Sequence, residues 1–121
     1  MSFFTYIASD FPIPESELLW TLSLGGEDLY TQKQHVAEVA PGMENLESLT
    51  AFLKQLACTH EEIEVWHIWQ GVEYRPVIRS REILARELTV EDLEVLFSKD
   101  VANETTTAYG IPVQYRIVVV E

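Results

Sequence analysis

The chain has 121 residues, with 20 Asp and Glu against 8 Lys and Arg, for a formal charge of −12. That length suits a single domain, and an apolar content of 47% supplies a core, so the high charge does not signal disorder. The charge argues against a nucleic-acid ligand, because phosphate binding needs clustered cations; it favours a basic partner protein or plain solubility.

A single cysteine excludes an internal disulfide framework and a Cys-rich zinc site. The opening MSFFTYIASDFPIPE has no basic segment followed by an apolar run, and no stretch approaches a membrane span. The expectation is a cytoplasmic protein with no membrane partner.

Taken along the chain, residues 3–9 (FFTYIAS) are aromatic and β-branched and read as a strand. Pro12 and Pro14 punctuate a loop. Leu18, Trp20, Leu22 and Leu24 recur with period two before Gly25-Gly26, which favours a second strand. Residues 34–40 suggest a third. A helix is expected over 45–58, with Asn45 as N-cap, Glu47 in the first turn, and Leu46, Leu49, Phe52, Leu53 and Leu56 in one apolar stripe. Thr50, Lys54 and Gln55 fall off that stripe and should face water.

Residues 63–69 (IEVWHIW) give the strongest strand. Ile63, Val65, His67 and Trp69 share one face, and Glu64, Trp66 and Ile68 the other. Apolar groups on both faces place it inside a sheet. Gln70-Gly71 suggests a hairpin turn into a strand over 72–78. That register sets Val72 opposite Trp69, Glu73 opposite Ile68, Tyr74 opposite His67 and Arg75 opposite Trp66, where a guanidinium could lie over the indole. Pro76 marks an edge strand or a bulge.

Residues 83–88 suggest a short strand. A helix over 90–98 is signalled by the capping box Thr89-x-x-Asp92 before Leu93, Leu96 and Phe97. Residues 100–107 are turn-like. A final strand over 111–120 turns Ile111, Val113, Tyr115, Ile117 and Val119 inward, against Gln114 and Arg116 outward. The fold class is α+β, a single domain with a mostly antiparallel sheet and two helices packed on one face.

The opening FFTYIASDFPIP, the strand IEVWHIWQG and the segment Leu88-Thr89-Val90-Glu91-Asp92-Leu93 resemble a family of small uncharacterised bacterial proteins. The resemblance covers about half of the chain. It implies a small intracellular α+β protein, and it carries over no reaction and no catalytic residue. The Cys-rich loop that many members carry before the first helix is missing from this sequence.

The residues able to do chemistry are few. His35, His60 and His67 sit on separate elements, so no metal site is expected. His67 could be a general base shifted by burial, but no carboxylate is placed to orient it. A core histidine bonded to Tyr74 or to backbone is the plainer reading. Cys58 lies at the helix end where the dipole disfavours a thiolate, and reads as a small buried hydrophobe. The acidic runs, Glu61, Glu62 and Glu64 among them, read as solvated faces. Gly25-Gly26 lacks the pattern of a phosphate or dinucleotide loop, and no cofactor is expected.

Four of the eight basic residues, Arg75, Arg79, Arg81 and Arg86, fall within twelve positions. They could grip a carboxylate or a phosphate, or pair with Glu73, Glu82 and Glu87. The expectation is therefore a non-enzymatic, acidic protein-interaction module of regulatory or immunity type. Its candidate binding residues are Trp66, His67, Trp69, Tyr74, Arg75 and Arg79, with no catalytic residue. The alternative is a small ligand binder or enzyme with a pocket of His67, Tyr74 and an arginine. A homodimer through an edge strand at 72–78 or 111–120 is a further expectation.

Overall fold

In the computed structural model, residues 3–19, 31–39, 46–69, 77–96 and 113–121 are described. Their elements in chain order are β1 (Phe3–Ser9), β2 (His35–Glu38), α1 (Leu46–His60), β3 (Glu62–Trp69), β4 (Val77–Leu84), a 3₁₀ turn (Ala85–Glu87), α2 (Val90–Leu96) and β5 (Val113–Val120). The strands form one sheet in the order β2-β1-β3-β5-β4. Three of its pairings are antiparallel, and β4 runs parallel to β5. The class is α+β, as the patterning predicts. No helix among the described residues is long and apolar enough to cross a membrane.

β3 lies in the middle because both of its faces can be buried. Ile63, Val65, Trp66 and Ile68 are all fully buried. On one face, Ile7, Ile63, Val65, Ile117, Val119 and Ile83 meet Leu49, Leu53, Leu56 and Ala57 of α1 and Leu93 of α2. Both helices therefore pack on the same side. On the other face, Tyr6, Ala8, Trp66 and Ile68 form a second cluster.

The places expected of Tyr74 and Arg75 beside His67 and Trp66 are held by other strands. Both edges of Trp66 and His67 are taken: Trp66 pairs with Tyr6 and Arg116, and His67 with Thr5 and Tyr115. Trp69 and Ile68 stand opposite Phe3 and Phe4. Tyr74, Arg75 and the turn at Gln70-Gly71 lie outside the described residues. The local turn signal at Gln70-Gly71 competes with the long-range pairing of β1 and β5, which occupy both edges of Trp66 and His67.

β5 is thus interior, and the expectation of an edge at 111–120 is corrected. Its second face is not outward either. Gln114 is fully buried and Arg116 is half-buried, because β3 and β4 flank both residues. β4 joins the end of the expected 72–78 strand to the start of the expected 83–88 strand through Arg79-Ser80-Arg81-Glu82. That charged stretch shows no alternation because its four residues are all exposed on a sheet edge.

α1 differs at two positions from its reading. Thr50 is buried, not solvated, and its hydroxyl donates to the Leu46 carbonyl at 2.6 Å, which satisfies it inside the helix. Cys58 is exposed, not buried. The helix stops at Glu61, whose φ of 64° is the left-handed conformation that commonly closes a helix, usually at glycine. The Glu61 amide still reaches the Ala57 carbonyl at 2.9 Å. Asn45 and the segments bearing Trp20, Gly25-Gly26 and Phe97 lie outside the described residues.

α2 opens as the capping box requires. The Asp92 carboxylate accepts the Thr89 backbone N–H at 2.9 Å and its hydroxyl at 3.0 Å. Those two donors, with Arg81 beside them, hold the Asp92 carboxyl below its usual range.

Candidate functional site

The sheet divides the candidate residues between its two faces. Consecutive residues of a strand point to opposite sides, so Trp66 and His67 cannot share one surface. Trp66 is 0% and His67 6% exposed, so neither serves as a surface anchor. Trp69 ends β3 opposite Phe3, and its side chain lies outside what is described. Tyr74 and Arg75 likewise lie outside the described residues. Arg79 is exposed in β4.

On the helix-covered face, cross-strand pairing sets Thr5, His67, Tyr115 and Arg79 side by side across β1, β3, β5 and β4. Tyr115 therefore occupies the place expected of Tyr74. The Thr5 hydroxyl lies 3.0 Å from His67 Nδ1. Burial pushes the His67 pKa down to about 4, since the charged ring would lose its hydration. His67 is then neutral near pH 7 and a weak base there, which suits a packed core residue better than a proton acceptor.

Beyond Tyr115, β4 and α2 bound a shallow cleft of about 170 Å³. Arg79, Arg81, Tyr115, Asp92 and Val95 line it. Arg81 Nη2 lies 3.2 Å from Asp92 Oδ1, with the arginine side chain 59% exposed. Val95 is 53% exposed, an apolar group left in water at the cleft mouth. Arginines two apart on one strand share a face, so Arg79 and Arg81 present two planar donor forks to the same side.

On the opposite face, a polar network emerges that the sequence reading missed. Glu64 is buried and accepts the Trp66 indole N–H at 2.9 Å, together with the Thr31 hydroxyl. Arg116 Nη1 lies 3.4 Å from its second oxygen, and Arg116 Nε donates to Ser80 at 2.9 Å. The Arg116 guanidinium stands 5.2 Å from the Trp66 ring centroid. An arginine over this indole was expected, but it comes from β5 and not from position 75. The available signal was Glu64 itself: a carboxylate in an otherwise apolar strand needs a cation and donors. Glu38, paired with Tyr6 on the same face, is buried as well, and desolvation raises its pKa.

Two smaller constellations complete the inventory. Ser9 Oγ lies 2.8 Å from His60 Nδ1 and accepts the Phe11 amide, while the Phe11 and His60 rings sit 5.7 Å apart. Ser9 is 0% exposed, so this pair ties β1 to the end of α1 and offers no accessible nucleophile. Lys33 bridges Asp10 at 2.9 Å and Glu62 at 3.5 Å. Among the described residues, no three His, Cys, Asp or Glu side chains converge as a metal site would require.

Comparison of the chain with protein-family models, curated proteins and solved structures finds no match. The resemblance carried by the opening segment is thus supported by no family model, and function is argued from the site alone.

Proposed function

We propose that this protein is a non-enzymatic, acidic protein-interaction module, regulatory or immunity-like, that meets its partner through the β4 edge and the adjoining cleft. The observation that carries this reading is the pairing of Arg79 and Arg81 on an exposed edge strand beside Tyr115 and Val95. Arginine and aromatic side chains are the types that dominate binding energy at protein interfaces. The charge of −12 would speed encounter with a partner of net basic charge, an effect that salt screens. A cytoplasmic setting fits a chain with a single cysteine.

The test is comparative capture from native cell extract, using the wild-type protein and the double variant Arg79→Glu, Arg81→Glu. The reading expects a specific partner retained by the first and lost from the second, with unchanged circular dichroism. Equal retention by both would refute it.

A second reading is a small-ligand site on the row of His67, Tyr115 and Arg79, favoured by their side-by-side register. It expects an anion held by Arg79 and the Tyr115 hydroxyl. Calorimetric titration with small carboxylates, repeated on Tyr115→Phe, separates it from the first reading.

A further inference from the structure

We infer that the protein binds a small aliphatic ammonium compound in a cavity at the β2 end of the sheet. That end lies farthest from β4, so the inference goes beyond the interaction reading and does not rest on it. The cavity has a volume of about 430 Å³, a size typical of small-molecule sites.

The path of the chain builds its walls. After β1 the chain returns to the sheet at the bridge of Leu19 with Val39, just beyond β2. Residues 12–16 and Leu19 form one wall, and residues 34–37 form the other. Both walls are fixed before any ligand arrives. Pro12 and Pro14 each have a locked φ. The Ser16 hydroxyl accepts the Leu18 amide at 3.2 Å, and its carbonyl accepts the Leu19 amide at 3.1 Å. Opposite them, His35, Val36 and Ala37 are held in register by Ser9, Ala8 and Ile7 of β1. A preformed site spares a ligand the cost of ordering it.

The lining selects a cation. The stretch Pro12-Ile13-Pro14 carries three backbone carbonyls but a single backbone N–H, since proline has none. Acceptors therefore outnumber donors along this wall. The exposed Glu15 carboxylate adds a negative charge at the rim. No lysine or arginine is found among the described lining residues. Lys33, next to Gln34 in sequence, is bound by Asp10 at 2.9 Å and Glu62 at 3.5 Å. The net charge of −12 raises the local concentration of cations around the whole chain. An anion would instead meet carbonyls and a carboxylate. The apolar part of the lining sets the rest of the ligand. Ile13 packs against the core and Leu19 belongs to it, so both present hydrocarbon to the cavity. An ammonium group at Glu15 with a short alkyl chain along Ile13 and Leu19 satisfies both halves.

The experiment titrates the full chain with n-butylammonium chloride at constant ionic strength and reads backbone amide shifts by NMR. The expected result is saturable binding with a Kd on the order of 1 mM, with shifts centred on Ile13, Glu15, Ser16, Val36 and Ala37. Methylammonium should bind about tenfold more weakly, for want of the alkyl chain. Butyrate, with a similar chain and the opposite charge, should not saturate. Glu15→Gln should weaken butylammonium at least about threefold, whereas Glu17→Gln removes the same charge outside the cavity and should leave its affinity unchanged. Both positions are exposed, and an unchanged amide spectrum elsewhere shows that each variant keeps the fold.

Shifts that never saturate, or that spread over the acidic surface, would overturn the site and reduce the effect to counterion attraction. Equal weakening by the two glutamine variants would do the same. Butyrate binding as tightly as butylammonium would overturn the choice of a cation, and methylammonium binding as tightly would overturn the alkyl chain. The interaction reading fails separately, by equal partner capture with and without the β4 arginines.

Discussion

The pKa of His67 makes the buried row across the sheet accountable to a measurement. The ring sits near pKa 4 in the folded chain, against 6.5 for an ordinary histidine. A lowered histidine pKa means that the unfolded chain binds more protons than the folded one between these values. Stability therefore rises with pH through this window, and its contribution is complete above pH 6.5. Linkage gives a loss of about 1.4 kcal/mol on going from pH 7.5 to 5.5, and about 2.5 kcal/mol on going to pH 4.5. The assay is urea unfolding at these three pH values for the wild type and for His67→Gln, which cannot titrate. Glu38, raised by burial, and Asp92, held below its ordinary range, are common to both proteins, so the difference between the two curves isolates His67. The wild type should lose more stability on acidification by the stated amounts. Parallel curves would show that the imidazole is hydrated in the fold, and the interior assignment would fall.

Three further outcomes follow from the packing. Trp66→Ala removes a fully buried indole and should cost about 3–5 kcal/mol in urea unfolding, whereas a solvated ring would cost almost nothing. Glu64→Gln keeps an acceptor for the Trp66 indole but removes the ion pair to half-buried Arg116. It should cost about 1–3 kcal/mol, with Glu64→Leu costing more because Trp66, Thr31 and Arg116 all lose their acceptor. Glu61→Gly relieves a left-handed residue after α1 and should raise the unfolding free energy by up to about 1 kcal/mol in urea unfolding; a lowered stability would contradict that backbone conformation.

What the sequence discloses is what depends on neighbours along the chain. The capping box at Thr89 and Asp92, the stripe of α1 and the central placement of β3 are all visible in local pattern, and each holds. Pairing partners are different in kind. Thr5 meets His67 across 62 positions, and Glu64 meets Arg116 across 52. No periodicity encodes such a choice, and a nearby turn signal at Gln70-Gly71 competes with it. The arginine over Trp66 shows this limit: the chemistry of the indole asks for a cation, but topology decides which strand supplies it. β4 was hidden for the opposite reason. An edge strand that must avoid sticking carries charges, and charges erase the alternation by which strands are recognised.

The placement of β5 between β3 and β4 sets the order in which the molecule can assemble. Residues 113–120 fill a slot whose two walls come from earlier stretches of polypeptide, and among the described residues β4 has no ladder partner until that slot is occupied. A nascent chain holding everything up to α2 would keep β4 as a loose arm. Completion of the sheet is then a late, long-range event, and it should dominate the folding time of this small protein.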